Sequence, residues 1–197
     1  DRSPSRGLGD VYKRQGLIGD LLRETYYYQS LQVGSTLFRR ACLTEVDYMR
    51  PQADGCEDFD LLVRIAIAGK QGYFLPEYLM EYRFHGGQNS LKQNIHFLRA
   101  KLFCVEGYHF NDEELEKERI KRLASLQETL GMRLLEQGDT IEGRKLLQQS
   151  TTVLGKSKRH QLAMILSYLP VSLRQTILSG FRQLKEKDYT TQVREST

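Results

Sequence analysis

Acidic side chains cluster at the start of a predicted helix, where they could do proton-transfer chemistry. Glu57-Asp58-Phe59-Asp60 leads into residues 61–69, which are nearly all apolar. Carboxylates at a helix N-terminus are held ionised by unpaired backbone N–H groups and by the positive end of the helix dipole. A general base must be charged and oriented in this way. The helix start is therefore a candidate catalytic site, and the alternative is that Asp58 or Asp60 only caps the helix.

Short elements on both sides of this helix are predicted to position the acidic residues. Gly69 can adopt the left-handed conformation that ends a helix. Residues 72–76 and 78–85 have the apolar content and alternation of strands. Upstream, residues 33–38 are rich in β-forming residues, and residues 39–46 have helical spacing of apolar side chains. The predicted order is strand, helix, acidic helix and strands.

These motifs, taken together and in this order, resemble those of a known enzyme family. Residues 34–40, the Glu-Asp-x-Asp-Leu stretch at 57–61, the helix closed by Gly69, the Leu-Pro-Glu turn and the Tyr-Arg-x-His stretch at 82–85 carry the resemblance. The chain resembles the C-terminal half of the catalytic domain of family-two glycosyltransferases over roughly residues 17–90. Those enzymes have the GT-A fold. The expected fold class is α/β, a partial GT-A domain with an incomplete mixed sheet, followed by an all-α helical tail.

The resemblance implies an inverting transfer of a sugar from a nucleotide-sugar donor to an acceptor hydroxyl, such as that of a glycan. In that chemistry a carboxylate takes the acceptor proton, and a divalent cation, Mg²⁺ or Mn²⁺, steadies the departing diphosphate. Carried onto this sequence, Asp58 is the base and Glu57 shapes the acceptor pocket. His85 is placed to contact the metal or the diphosphate, and Arg83 faces the same anion. Ser90 lies in a Gly-rich loop expected to close over the nucleotide.

The sequence departs from this family at its beginning. Residues 1–15 resemble a translated sequencing adaptor and are interpreted as a non-native leader. The resembling domain is then residues 16–93, with a helical region at 94–187 and a disordered tail at 188–197. The family's nucleotide-binding half, with its Asp-x-Asp motif, does not precede residue 16 in this sequence. The expectation is that this fragment is inactive until it is joined to that missing N-terminal half.

The second half of the chain has the periodicity of a helical hairpin. Gly138-Asp139 separates two apolar stripes and predicts a turn. One segment is similar to a tetratricopeptide repeat, but arrays need about three copies, so a helical appendage is favoured over a repeat array. The alternative function is a helical protein-interaction module on an α/β platform. Near the C-terminus the apolar residues Leu173 and Ile177 have the basic neighbours Arg174, Arg182 and Lys185. This pattern is typical of a solvated helix face, and peripheral membrane contact is the alternative.

Composition excludes several other classes of function. The net charge of +4 results from 29 basic and 25 acidic residues that are interspersed, so no nucleic-acid partner is expected. The three cysteines form no CxxC pair and indicate neither a disulfide scaffold nor a zinc site. A cytoplasmic location is expected, with membrane association left open. The apolar runs are shorter than the ~20 residues that cross a bilayer.

Overall fold

The computed structural model describes residues 16–77, 79, 94–156, 158–174 and 176–177, and within them the chain is mostly helical. The α-helices are α1 (Arg40–Glu45), α2 (Glu57–Ile67), α3 (Ile95–Gly107), α4 (Glu113–Gln137), α5 (Thr140–Leu154) and α6 (Lys158–Leu166). A π-helix covers Arg23–Tyr27, and 3₁₀ helices cover Val33–Ser35 and Pro51–Ala53. The strands are β1 (Gly16–Leu17) and β2 (Tyr73–Phe74).

The predicted fold class, an α/β partial GT-A domain with an incomplete mixed sheet, is wrong. Among the described residues the only sheet consists of β1 and β2, which pair antiparallel with Gly16 opposite Phe74 and Leu17 opposite Tyr73. The strand predicted over residues 72–76 is present but has only two residues. The strand predicted over residues 78–85 falls outside the described residues except for Leu79.

The strand predicted over residues 33–38 is also wrong, because its first part is the 3₁₀ turn Val33–Ser35. The hydroxyls of Ser35 and Thr36 donate to the backbone carbonyl of Gln32, at 3.1 and 2.7 Å. Local hydrogen bonds of this kind offer the backbone an alternative to a sheet ladder. This segment therefore begins with a turn, although its composition favours a strand.

The two helices predicted from apolar spacing in this half are confirmed as α1 and α2. Five apolar residues of α2 are buried, so the helix is held by packing as well as by propensity; they are Leu61, Leu62, Val63, Ile65 and Ala66. Gly69 has φ +69°, the left-handed conformation predicted for the end of this helix. The acidic residues Glu57, Asp58 and Asp60 are in its first turn.

The predicted helical hairpin is confirmed by α4 and α5. Gly138 has φ +104° between them, and the Asp139 side chain accepts a hydrogen bond from the Glu142 N–H at 3.2 Å, capping α5. Gly131 of α4 and Gly143 of α5 are close enough that a Cβ on Gly131 would lie 2.9 Å from the carbonyl oxygen of Gly143. The two helix backbones therefore approach closely at this pair of glycines.

The chain divides into two compact units, Asp1–Arg119 and Ile120–Thr197. The helix α3 belongs to the first unit, although the boundary expected from the sequence precedes it at residue 93. The second unit has a core of apolar side chains from α4, α5 and α6: Met132, Leu135, Leu147, Ala163 and Leu166. Arg174, expected among the basic neighbours of a solvated helix face, is instead buried and donates to the backbone carbonyl of Ser167 at 3.1 Å.

Candidate active site at the start of helix α2

Asp58 presents an exposed carboxylate in the first turn of α2. No residue in the described part of the chain forms a hydrogen bond or ion pair with this carboxylate. Partial desolvation at the helix start, and then the negative charge of Glu57, raise the pKa of Asp58 above its ordinary value. The sequence predicted a carboxylate held ionised by the helix terminus, whereas the structure shows one with an increased affinity for a proton.

Glu57 is half-buried and is engaged with the backbone. Its Oε2 atom accepts a hydrogen bond from the Gly55 N–H at 2.7 Å. Gly55 has φ +96°, a left-handed conformation that favours glycine. Glu57 therefore stabilises the turn that enters α2, and Asp58 is the less constrained carboxylate of the two.

Asp60, only two residues farther along, is fully buried and surrounded by donors. Its Oδ2 atom accepts from Arg50 Nε at 3.0 Å and from Arg64 Nε at 2.8 Å. Its Oδ1 atom accepts from Tyr108 Oη at 2.8 Å, and Arg50 Nη2 forms a further ion pair with it. Burial raises the pKa of Asp60, but hydrogen bonds from its three partners outweigh burial and hold that pKa below the ordinary value.

The same network connects α2 to segments that are distant in sequence. Arg64 also donates to the backbone carbonyls of Val46 and Tyr48, the latter at 2.5 Å. Tyr108 directly follows α3, and burial together with the charge of Asp60 raises the pKa of this phenol, so it remains a donor. The Asp60 network thus fixes the first turn of α2, where Asp58 stands, against the loop before it and against the end of α3.

Aromatic side chains pack beside this network. Tyr26 is fully buried, and its ring centroid lies 4.6 Å from that of Phe110, 5.9 Å from that of Phe59 and 6.1 Å from that of Tyr108. Tyr108 belongs both to this cluster and to the Asp60 network, because its hydroxyl donates to Asp60, which is itself fully buried. Desolvated and fully hydrogen-bonded charges of this kind make a rigid connection.

Three of the predicted site residues cannot be placed. Arg83, His85 and Ser90 lie outside the described residues, so the structure brings together only Glu57 and Asp58 of the predicted site. Among the described residues, no group of three or more His, Cys, Asp or Glu side chains could hold a metal ion. The metal contact was predicted for His85, so it lies outside the described residues and stays a prediction.

The most connected residue of the site, Asp60, was considered from the sequence only as a helix cap. One signal for it was available, because Asp60 and Arg64 have the i, i+4 spacing of a helical ion pair. Arg50 and Tyr108 carry no such signal, since their contacts with Asp60 depend on tertiary structure.

Comparison of this chain with models of protein families, with curated proteins and with solved structures found no match. In the described part of the chain, no helix has both the length and the apolar character needed to cross a bilayer.

Proposed function

We propose that this chain contributes the acceptor-activating carboxylate of an inverting glycosyltransferase, with Asp58 as the general base. The single observation that carries the proposal is the exposed Asp58 carboxylate with a raised pKa on a helix start held by the Asp60 network. The resemblance of the sequence around it to family-two glycosyltransferases supplies the reaction class.

The proposed reaction moves one proton and one glycosyl group. Asp58 takes the proton of an acceptor hydroxyl as the oxygen of that hydroxyl bonds to the anomeric carbon of the donor sugar. The bond from the anomeric carbon to the diphosphate breaks, and the nucleoside diphosphate departs with the electron pair. A base is most effective when its pKa lies near the working pH, so the raised pKa of Asp58 favours this role over that of an ordinary surface carboxylate.

Rigid placement is the second requirement for a general base. Asp58 is separated by one residue from Asp60, whose hydrogen bonds reach three other residues of the first unit. This network fixes the backbone that carries Asp58, and a base on a fixed helix start loses less orientational freedom when substrate binds than a base on a mobile segment. Asp60 is therefore proposed as a positioning residue, and Glu57 as the neighbour that raises the proton affinity of Asp58.

The test requires this chain in one polypeptide with the nucleotide-binding half that the resemblance implies. Transfer from UDP-glucose, UDP-N-acetylglucosamine and GDP-mannose to a panel of sugar hydroxyls is measured for the parent and for Asp58→Asn. We expect the variant to lose about 10²- to 10⁴-fold in kcat, the usual contribution of a general base. The matched control is Asp54→Asn, which changes another exposed carboxylate, one that pairs with His96 at 3.0 Å, and should retain activity.

Retained transfer by a folded Asp58→Asn variant would refute the assignment of the base. Absence of transfer from every donor by the parent polypeptide would refute the glycosyltransferase proposal itself.

A further inference from the structure

Two cysteine side chains that are far apart in sequence meet inside the first unit. Cys56 is the residue directly before α2, Cys104 lies within α3, and their Sγ atoms are 3.6 Å apart. Both are unbridged and buried, with exposed fractions of 7% for Cys56 and 0% for Cys104. The third cysteine, Cys42, is half-buried in α1. The candidate active site makes no use of the Cys56 and Cys104 pair.

The two sulfurs are near enough for a bond to form with little movement. A disulfide needs the sulfurs at ~2.05 Å, so the two atoms must approach by roughly 1.5 Å. Cys56 makes no side-chain capping bond to α2. Rotation of its thiol therefore breaks no capping hydrogen bond of α2.

The two thiols differ in reactivity and access. A hydrogen bond from the Cys104 thiol, aided by the charge of Lys101, lowers the pKa of Cys56 against the opposing effect of burial. The same pairing and burial raise the pKa of Cys104. Because the thiolate is the nucleophilic form, Cys56 is the sulfur that reacts first. It is also the one with some exposed surface.

We propose that Cys56 and Cys104 form a reversible intramolecular disulfide when the protein meets a peroxide. The Cys56 thiolate attacks one peroxide oxygen, hydroxide leaves, and the sulfur becomes a sulfenic acid. The Cys104 sulfur then attacks the Cys56 sulfur, and the sulfenic oxygen leaves as water. In sum, two thiols and one hydrogen peroxide give one disulfide and two waters, with two electrons passing from the sulfurs to the peroxide.

This modification would join the start of α2 covalently to α3. The bond would close a loop between residues 48 positions apart and fix the residue immediately before Glu57 and Asp58. Disulfide formation itself does not depend on the proposed transferase function, since the argument uses only the positions and chemistry of the two thiols.

The experiment treats the full chain with hydrogen peroxide, stops the reaction with catalase, and alkylates the denatured protein with N-ethylmaleimide. We expect alkylation to fall from three cysteines to one, with the loss of two hydrogen atoms in the intact mass. Peptide mapping should find Cys56 linked to Cys104 and the alkyl group on Cys42. Dithiothreitol should restore all three labelled positions.

Three variants distinguish a specific disulfide between Cys56 and Cys104 from non-specific oxidation of cysteines. Cys42→Ala should still form the disulfide, whereas Cys56→Ala and Cys104→Ala should not. Cys104→Ala should instead retain oxygen on Cys56, as sulfenic or sulfinic acid. The proposal is overturned if the peroxide-treated wild-type chain keeps three alkylated cysteines, or if its disulfide joins Cys42 to either partner. Because the decisive measurement uses the unaltered chain, it does not depend on whether a buried variant folds.

Discussion

At the scale of single residues, two aspartates of one helix turn have opposite environments. Asp58 is exposed, and partial desolvation and the charge of Glu57 raise its pKa. Asp60 is buried, and its hydrogen bonds lower its pKa. Such a pair of environments separates a residue that can exchange a proton from one that must remain charged. The environment of Asp58 is therefore consistent with its proposed role as a general base, whereas the contacts of Asp60 give it a structural role.

We predict that Asp60→Asn destabilises the protein by about 3–5 kcal/mol, because it leaves Arg50 and Arg64 without their shared counter-charge. The measurement is the free energy of unfolding from urea denaturation followed by circular dichroism. The control Asp58→Asn should change that free energy by no more than about 1 kcal/mol, the scale of a helix-terminus charge interaction. Equal destabilisation by both variants would contradict the division of roles.

The difference in unfolding free energy between the wild type and Asp60→Asn should depend on pH, because the pKa of Asp60 is lowered in the folded state. The folded-state pKa of Asp60 lies below its unfolded-state value of about 3.9. Its stabilising contribution is therefore fully present above that unfolded value and is lost as the pH falls through the folded value. The difference in unfolding free energy between the wild type and Asp60→Asn should be constant from neutral pH to about pH 5 and shrink below pH 4. A difference that grows on acidification would contradict the ion-pair network.

At the scale of elements, the sequence predicts helices better than strands here. The helix α2 and the hairpin of α4 and α5 follow from local signals, namely apolar periodicity, Gly69 and Gly138-Asp139. Strand propensity is a weaker guide because a strand is stable only beside a partner. Residues 33–38 lack one in the described structure and turn instead through side-chain bonds to Gln32.

The site itself shows the same limit of sequence reasoning. Asp58 and Glu57 are found from sequence because they are neighbours at a helix start. The contact of Asp60 with Tyr108 and that of Cys56 with Cys104 each span 48 residues. No local pattern predicts such contacts, since they depend on how α2 and α3 each pack against the 3₁₀ turn Pro51–Ala53.

We predict that Gly131→Ala weakens the hairpin of α4 and α5. The new Cβ would meet the Gly143 carbonyl oxygen at 2.9 Å and the Leu147 backbone nitrogen at 3.2 Å, and backbone atoms cannot rotate away. Overpacking of this kind costs about 1–3 kcal/mol, partly offset by the better helix propensity of alanine, up to about 1 kcal/mol. We expect a net loss of about 1–2 kcal/mol in urea denaturation.

The matched control for this substitution is Gly107→Ala. Gly107 is the last residue of α3, and no atom lies within 4 Å of a Cβ built there. This change should leave the unfolding free energy unaltered or raise it slightly. A loss at Gly107 as large as that at Gly131 would attribute the effect to glycine flexibility instead of close helix packing.

At the scale of the whole molecule, each of the two compact units has its own set of buried groups. The first, Asp1–Arg119, contains the Asp60 network and its aromatic cover, and the second, Ile120–Thr197, contains the apolar core of α4, α5 and α6. The helix α4 begins in the first unit, where Arg119 donates to the Val105 carbonyl at 3.2 Å. Mutations more than 7–10 Å apart that share no partners usually act independently.

This organisation predicts that a destabilising substitution increases local opening only in the unit that contains it. Local opening depends on the contacts of each cooperative segment, so hydrogen–deuterium exchange followed by mass spectrometry should resolve the two units. In Gly131→Ala we expect faster amide exchange in peptides of α5 and α6 and unchanged exchange in those of α2 and α3. In Asp60→Asn we expect the reverse. If either variant accelerates exchange equally in all four helices, the chain unfolds as one cooperative body, and the division at Arg119 has no energetic meaning.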